Sequence, residues 1–311
     1  MNCLVAIVGP TASGKSQLAL ELAKTFQGEI VNADSRQVYR YMDIGTAKPN
    51  PAELSLVRHH LIDLIDPDES FSLALYQRLA YEAIEDIQRR NKLPILVGGS
   101  GLYVWSVVEG WKIPAVPPNI EFRRAREKEA QEKGSYALFQ ELQKLDPAAA
   151  SRIMPGNLRR IIRALEIYQR TGRPVSEQWQ KQAPPYPILI FGLTMLREHL
   201  YRRIDSRVDE MITKGLVEEV KYLISKGYGP DLPSMSGIGY KQIAMVLQGE
   251  IDLTASVEQI KMETHRFARH QYAWFRLADS RIHWFNENND APKEARNLIG
   301  SFLSGIAEQA G

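Results

Sequence analysis

Gly9-Pro10-Thr11-Ala12-Ser13-Gly14-Lys15-Ser16 follows the apolar run Leu4-Val5-Ala6-Ile7-Val8 and precedes a helical pattern from Gln17 to Phe26. Strand, glycine-rich turn and helix, in that order, is the context in which the spelling G-x-x-x-x-G-K-[ST] denotes a phosphate-binding P-loop. Gly9 and Gly14 can take backbone angles that a side chain forbids, so successive N–H groups converge on an anion. The helix starting at Lys15 adds the positive end of its dipole. Lys15 supplies a cation on a flexible stem, and the Ser16 hydroxyl is placed to ligate a Mg²⁺ ion carried by the phosphates. The stretch predicts a site for a di- or triphosphate.

Outward from this stretch, short apolar runs alternate with helical spacing. Glu29-Ile30-Val31-Asn32-Ala33-Asp34 reads as a strand ending in an acid, and His60-Leu61-Ile62-Asp63-Leu64 as another. Leu93-Pro94-Ile95-Leu96-Val97 is a strand stopped by Gly98-Gly99, and residues 71–91 have helical spacing. Such strands separated by helices predict a parallel sheet covered on both faces. Ligands of these sheets sit at the carboxyl ends of the strands, so the P-loop, Asp34 and Gly98-Gly99 are expected to share one cleft. Proline-rich segments at residues 113–118 and 183–187 bracket a wholly helical stretch, after which Ile188-Leu189-Ile190-Phe191-Gly192 returns to a strand. The expected architecture is α/β: a P-loop NTPase-like parallel-sheet core of residues 1–117 and 186–311, with an all-helical domain, residues 118–185, inserted. Helices are expected at residues 197–248 and 255–277, then a short apolar stretch at Ile282-His283-Trp284-Phe285 and an amphipathic tail helix.

With 44% apolar and 24% charged residues, the 311-residue chain has the composition of a globular protein with a sizeable core. The formal net charge of +2 conceals basic clusters at residues 152–173, 197–207 and 265–281. Local basic faces suit a polyanion touched at several points. Cys3 is the single cysteine, which excludes an intramolecular disulfide and a cysteine-based metal site; it reads as a small buried apolar residue. No apolar run approaches the roughly 18 residues that cross a bilayer, and no export segment is expected before the first strand. A cytoplasmic monomer without membrane or obligate protein partners is expected.

A P-loop alone leaves several chemistries open. An NTPase carries an acid at the end of an apolar strand to hold Mg²⁺ and position water, but the best such strand here ends in Gly98-Gly99. Asn91-Lys92-Leu93-Pro94 begins the spelling of a guanine reader and ends in proline. A small-molecule kinase has no use for so much basic helical surface, yet neither it nor an RNA-binding NTPase switch is excluded by composition. Arg203 and Arg207 lie four residues apart and share a helix face, as phosphate-binding guanidinium groups would.

Further blocks narrow the choice. Asn32-Ala33-Asp34-Ser35-Arg36-Gln37-Val38-Tyr39, Met42-Asp43-Ile44-Gly45-Thr46-Ala47-Lys48-Pro49 and His59-His60-Leu61-Ile62-Asp63 accompany the P-loop. So do Gly98-Gly99-Ser100-Gly101-Leu102-Tyr103, Arg160-Ile161-Ile162-Arg163-Ala164-Leu165-Glu166 and Gly237-Ile238-Gly239-Tyr240-Lys241-Gln242. Together, nearly end to end, these blocks resemble the tRNA dimethylallyltransferases (isopentenyltransferases). The resemblance implies transfer of a dimethylallyl group from dimethylallyl diphosphate to N6 of adenosine 37, beside the anticodon of tRNAs reading codons that begin with U. It implies Asp34 as general base and Gly9 to Ser16 as the diphosphate cradle, with Thr11 adding a hydroxyl donor. Lys15 and Arg207, with Arg203 as companion, would face the leaving group. A Mg²⁺ ion would sit on Ser16. The tRNA anticodon stem-loop would be contacted by Asp34, Ser35, Arg36 and Gln37, by Ser100 and Arg123, and by Arg159, Arg160, Ile161, Ile162 and Arg163. Further contacts are implied at Ser236, Gly237, Ile238, Gly239, Tyr240 and Lys241, and at Arg269, His270, Gln271, Trp274 and Arg276. Trp274, Trp284 and Phe285 also fit a core. His59 and His60 match the family pattern, and their residue type fits a structural hydrogen-bonding role.

Overall fold

The computed structural model describes residues 2–114, 116–286 and 290–310; Ala115, in the first proline-rich segment, lies outside them. Six strands, β1 (Leu4–Val8), β2 (Glu29–Asn32), β3 (His59–His60), β4 (Pro94–Val97), β5 (Ile188–Leu193) and β6 (Ile282–Phe285), form one sheet. Their order is β3-β2-β4-β1-β5-β6 and every pairing is parallel. The first helices are α1 (Lys15–Thr25), α2 (Pro51–Leu56), α3 (Leu73–Arg89) and α4 (Gly101–Val108). Then come α5 (Ile120–Lys133), α6 (Ser135–Leu145), α7 (Pro147–Ala150) and α8 (Leu158–Thr171), followed by α9 (Arg197–Thr213), α10 (Leu216–Ser225), α11 (Tyr240–Leu247), α12 (Leu253–Trp274) and α13 (Ala291–Ala310). No helix among the described residues is long and apolar enough to cross a membrane.

The chain divides into two compact units, Met1–Val108 with Pro184–Gly311, and Glu109–Ala183. In the first, β1 is wholly buried and joins β4, β5, α1 and α13 in one core around Val5, Ile7, Leu22 and Phe191. A second core binds α9, α10, α11 and α12 to the loop at Val38 and Met42. The second unit packs Leu138, Phe139, Leu142, Ile161, Ile162 and Leu165 from α6 and α8 into a core of its own. Each wall follows from helical periodicity: α8 turns its isoleucines inward and its arginines outward.

The strand expected at residues 60–64 is cut to His59–His60. Leu61 and Asp63 take positive φ, 64° and 53°, which ends an extended run. The chain then bonds backward, with Asp63 N–H on Gln37 O and Leu64 N–H on Val38 O. Lys48 Nζ secures this turn, donating to Asp63 at 2.5 Å and to Tyr39 O at 2.9 Å.

His60 has a structural partner. Its Nε2 lies 2.7 Å from Glu29 Oε2, and Arg90 and Lys92 converge on the same carboxylate. Glu29 is 2% exposed, a charge that low-dielectric surroundings tolerate only when paired. Hydrogen bonds from Arg90 hold its carboxyl well below the usual range, against the opposing effect of burial. His59 Nδ1 lies 2.8 Å from Val57 O. Cys3 is buried and free, its thiol pushed up to about 11 by burial.

Candidate active site

At the end of β1, Gly9 has φ 138° and lies so close to the Leu193 carbonyl of β5 that a Cβ would overlap it. Gly14, at φ 97°, begins α1 in the left-handed region with no side-chain cap. The first N–H groups of α1 therefore keep the positive pole of the helix open to a ligand. Ser13 is 6% exposed, and its hydroxyl finds no hydrogen-bond partner among the described residues. Lys15 Nζ donates to Pro10 O at 2.5 Å.

Lys15 does not hold its charge easily. Burial and, to a lesser extent, the positive charge of Arg207 bring its pKa down to about 7, with Asp34 acting against both. Arg207, on α9, is drawn down in turn by burial, opposed by Asp34 and Glu210. P-loop, second-strand acid and α9 arginine thus share one electrostatic field. Two cations against one carboxylate make that field anion-seeking. Arg203, one turn before Arg207, is exposed and makes no ion pair among the described residues. The neighbouring acids on α9 are engaged by α12: Asp205 by His265 and Asp209 by Lys261, each at 2.8 Å.

Asp34 follows β2 through a turn built by Asn32, whose Oδ1 accepts Asp34 N–H at 3.0 Å and whose Nδ2 donates to Leu61 O at 3.0 Å. Asp34 Oδ1 accepts Arg36 N–H at 2.8 Å, a local turn rather than a helix cap. Its Oδ2 takes no hydrogen bond among the described residues. The next turn of the site comes from β4: Gly98 packs against the Ala33 carbonyl with no room for a Cβ. Ser100 then accepts Ser35 N–H at 3.1 Å. Tyr76 of α3, fully buried, stacks on Tyr103 of α4 at 3.8 Å and donates to Asn32 O. Both phenols feel the charge of Asp34, so an aromatic wall stands beside the carboxylate.

The residues implied as RNA contacts divide by exposure. Arg36 reaches Pro233 O and Ser234 O, at 2.9 and 3.2 Å, and so ties the Asp34 turn to the loop before α11. Gln37 donates to Thr46 O and Ala47 O. Ser236 and Lys241 are exposed and Ile238 is half-buried. Gly237 and Gly239 are buried, the latter at φ 93°. Tyr240 is 1% exposed and its hydroxyl donates to Glu219 at 2.6 Å, so its ring belongs to the core. On α12, Arg269 and His270 are exposed, Trp274 is half-buried against Gly101, and Gln271 is 4% exposed; Arg276, just past the end of the helix, is exposed. The Gln271 amide faces the P-loop: it accepts Thr11 N–H at 2.7 Å and donates to Gly99 O at 3.0 Å.

In the helical unit, Arg159 and Arg160 are exposed, whereas Ile161 and Ile162 are 0% and 3% exposed and pack inward. Arg123 and Arg163 both bind Glu166, at 2.8 and 2.5 Å. Glu166 also accepts Asn119 N–H at 2.7 Å. These hydrogen bonds bring its pKa to about 2, although burial alone would raise it.

Glu219 and Tyr76 escaped the sequence reading. Glu219 accepts the N–H groups of Asp43, Ile44 and Gly45 and so shapes the Met42-to-Pro49 block. Its partners lie 174 to 176 residues away, beyond any local pattern. Tyr76 sits on the apolar stripe of α3, where spacing marks it only as core.

No group of three or more His, Cys, Asp or Glu able to hold a metal occurs among the described residues. A divalent cation here would take its ligands from the exposed Ser16 hydroxyl, water and the ligand's own phosphates. That is a donor set suited to Mg²⁺.

The sequence model of a family described as IPP transferase matches residues 37–278. A tRNA dimethylallyltransferase of Roseiflexus castenholzii is 56% identical over 273 residues, covering 88% of this chain and 89% of that one. Another, from a Roseiflexus species, is 51% identical over 300 residues, covering 96% and 98%. Among solved structures, the full-length tRNA isopentenylpyrophosphate transferase of Bacillus halodurans superposes with a TM-score of 0.74 at 41% identity, covering 100% of this chain and 99% of its own. A eukaryotic dimethylallyltransferase captured acting on tRNA gives 0.84 at 27% identity, covering 98% and 80%.

Proposed function

This chain belongs to the IPP transferase family, and from that premise we propose how its own residues carry out the reaction. It is a prenyltransferase that moves a dimethylallyl group from dimethylallyl diphosphate to tRNA. The acceptor is N6 of adenosine 37 in tRNAs reading codons that begin with U, and the reaction belongs in the cytoplasm with the chain acting as a monomer.

The observation that carries the reading is the shared field of Lys15, Arg207 and Asp34. A diphosphate needs the two cations. An amine nucleophile needs the carboxylate. Adenine N6 is weakly nucleophilic because its lone pair is delocalised into the ring. As N6 bonds to the allylic carbon, the carbon–oxygen bond to the diphosphate breaks and the N6 proton passes to Asp34 Oδ2. Charge then grows on the departing diphosphate. Loop N–H groups, Lys15 and Arg207 are aimed at that charge, and one such donor is worth roughly 10²–10³ in rate. Mg²⁺ on Ser16, when bound, adds charge neutralisation to the diphosphate. The acceptor base must leave its stack, at a cost of a few kcal/mol that is smaller in a loop than in a duplex. The Tyr76–Tyr103 stack, buried behind Asn32, backs the turn that carries Asp34.

The test uses purified protein, Mg²⁺, isotope-labelled dimethylallyl diphosphate and unmodified tRNA, with nucleoside mass spectrometry of the product. Label in N6-dimethylallyladenosine at position 37 is expected. Transfer of a phosphoryl group from ATP, with no label in RNA, would overturn the reading.

A further inference from the structure

Near its C-terminal end α12 shows two kinds of residue. Arg269 and His270 on the helix, and Arg276 just past its end, face solvent, while Gln271, among them, is 4% exposed. Both ends of the Gln271 amide are used, on Thr11 N–H and on Gly99 O. Its orientation is fixed, since a flipped amide would set donor against donor and oxygen against carbonyl. An apolar side chain would fill the same space but leave Thr11 N–H and Gly99 O without these partners. The fit is mutual: a Cβ on Gly99 would overlap Gln271 Nε2, and one on Gly101 would overlap the Trp274 ring.

Three pieces of the site meet through this one amide. Thr11 lies in the P-loop. Gly99 precedes Ser100, which holds Ser35 beside Asp34. α12 exposes Arg269 on its other side.

We propose that Gln271 is a positioning residue that couples the two substrates: RNA docking on the exposed side of α12 sets, through Gln271, the orientation of the Thr11 peptide and so the grip of the P-loop on diphosphate. This inference rests on the reading of the P-loop as the diphosphate site and of α12 as an RNA-contacting helix. Linkage makes the effect reciprocal, so diphosphate also tightens RNA binding by the same factor.

The test is calorimetric titration of inorganic diphosphate with Mg²⁺ into the full-length protein, with and without a saturating unmodified anticodon stem-loop. In the native chain the RNA should tighten diphosphate by about fivefold or more, within the usual range of coupling between sites. Gln271→Met should bring that ratio to between about one and two and raise the KM for the prenyl donor, while RNA affinity measured alone stays within about twofold. Should Gln271→Met fold poorly, Gln271→Glu keeps the shape and the acceptor for Thr11 N–H but loses the donor to Gly99 O; the same loss of coupling is expected. A native ratio of one, or either folded variant with the native ratio, overturns the proposal and leaves the prenyltransferase reading intact. A native protein that binds no diphosphate and prenylates no tRNA overturns both.

Discussion

The Arg207 guanidinium bears on Lys15: its charge adds to burial, against Asp34, in bringing the Lys15 ammonium down to a pKa of about 7. A bound diphosphate supplies the opposite charge and raises that value. At pH 8 the binding of inorganic diphosphate should therefore take up a proton, up to about one per site, and apparent affinity should fall as pH rises above 7. Calorimetry in two buffers of different ionisation enthalpy measures the uptake. A heat independent of buffer, equal in the native protein and in Lys15→Ala, would contradict it.

Arg207 and Arg203 share a helix but not an environment. Arg207→Ala should lower kcat/KM for dimethylallyl diphosphate by roughly 10²–10³, the usual effect of removing a donor aimed at developing charge. Arg203→Ala, at an exposed position, should change it by no more than a few-fold. Steady-state kinetics of the two variants decide the point, and equal effects would remove the distinction.

The Glu29 cluster concerns stability rather than catalysis, since it lies at the start of β2 and Asp34 lies beyond its end. Glu29→Gln leaves Arg90, Lys92 and His60 facing a neutral amide. Its cost should be about 2–4 kcal/mol, below the full figure for a broken buried pair because Arg90 and Lys92 are partly exposed. The folded pKa is depressed, so this stability is fully present above the unfolded value near 4.3 and is lost as pH falls below it. Denaturant titrations should show the native chain and the variant far apart at pH 7 and converging toward pH 3. A gap unchanged with pH would refute the assignment.

Glu166 makes the same kind of prediction inside the helical unit. Glu166→Gln should raise amide exchange across α5 and α8, with about 2–4 kcal/mol lost, because two arginines lose their shared carboxylate. The native advantage should fade as pH drops from about 4.5 toward 2, the value to which the hydrogen bonds bring Glu166. Exchange measured by mass spectrometry checks both statements, and native-like protection in the variant would contradict them.

What the sequence made legible was local. Gly9 to Ser16 announced the P-loop because strand, turn and helix are adjacent in the chain, and alternating apolar runs gave the parallel sheet. Three kinds of feature stayed hidden. The positive φ of Leu61 and Asp63 shortened β3, and no Gly or Asn marked those positions. Gln271, implied as an RNA contact, turns its side chain toward a loop 260 residues earlier, and Ile161, Ile162 and Tyr240 turn theirs into cores. The roles of Glu29, Glu166 and Glu219 depend on partners that only the fold brings near, so as single letters they look like surface acids. The kinase and NTPase-switch readings that the P-loop left open were decided by the blocks beyond it and by the family to which the chain belongs.

In the proposed reaction the Asp34 carboxylate takes the N6 proton while the neighbouring loop holds the diphosphate. It is tested most directly by single-turnover prenyl transfer in Asp34→Asn, with tRNA and donor both saturating and tRNA affinity measured in parallel. A rate lower by about 10²–10⁴ is expected, the usual worth of a positioned base, with tRNA affinity within about threefold of the native protein. Transfer at the native rate would contradict it.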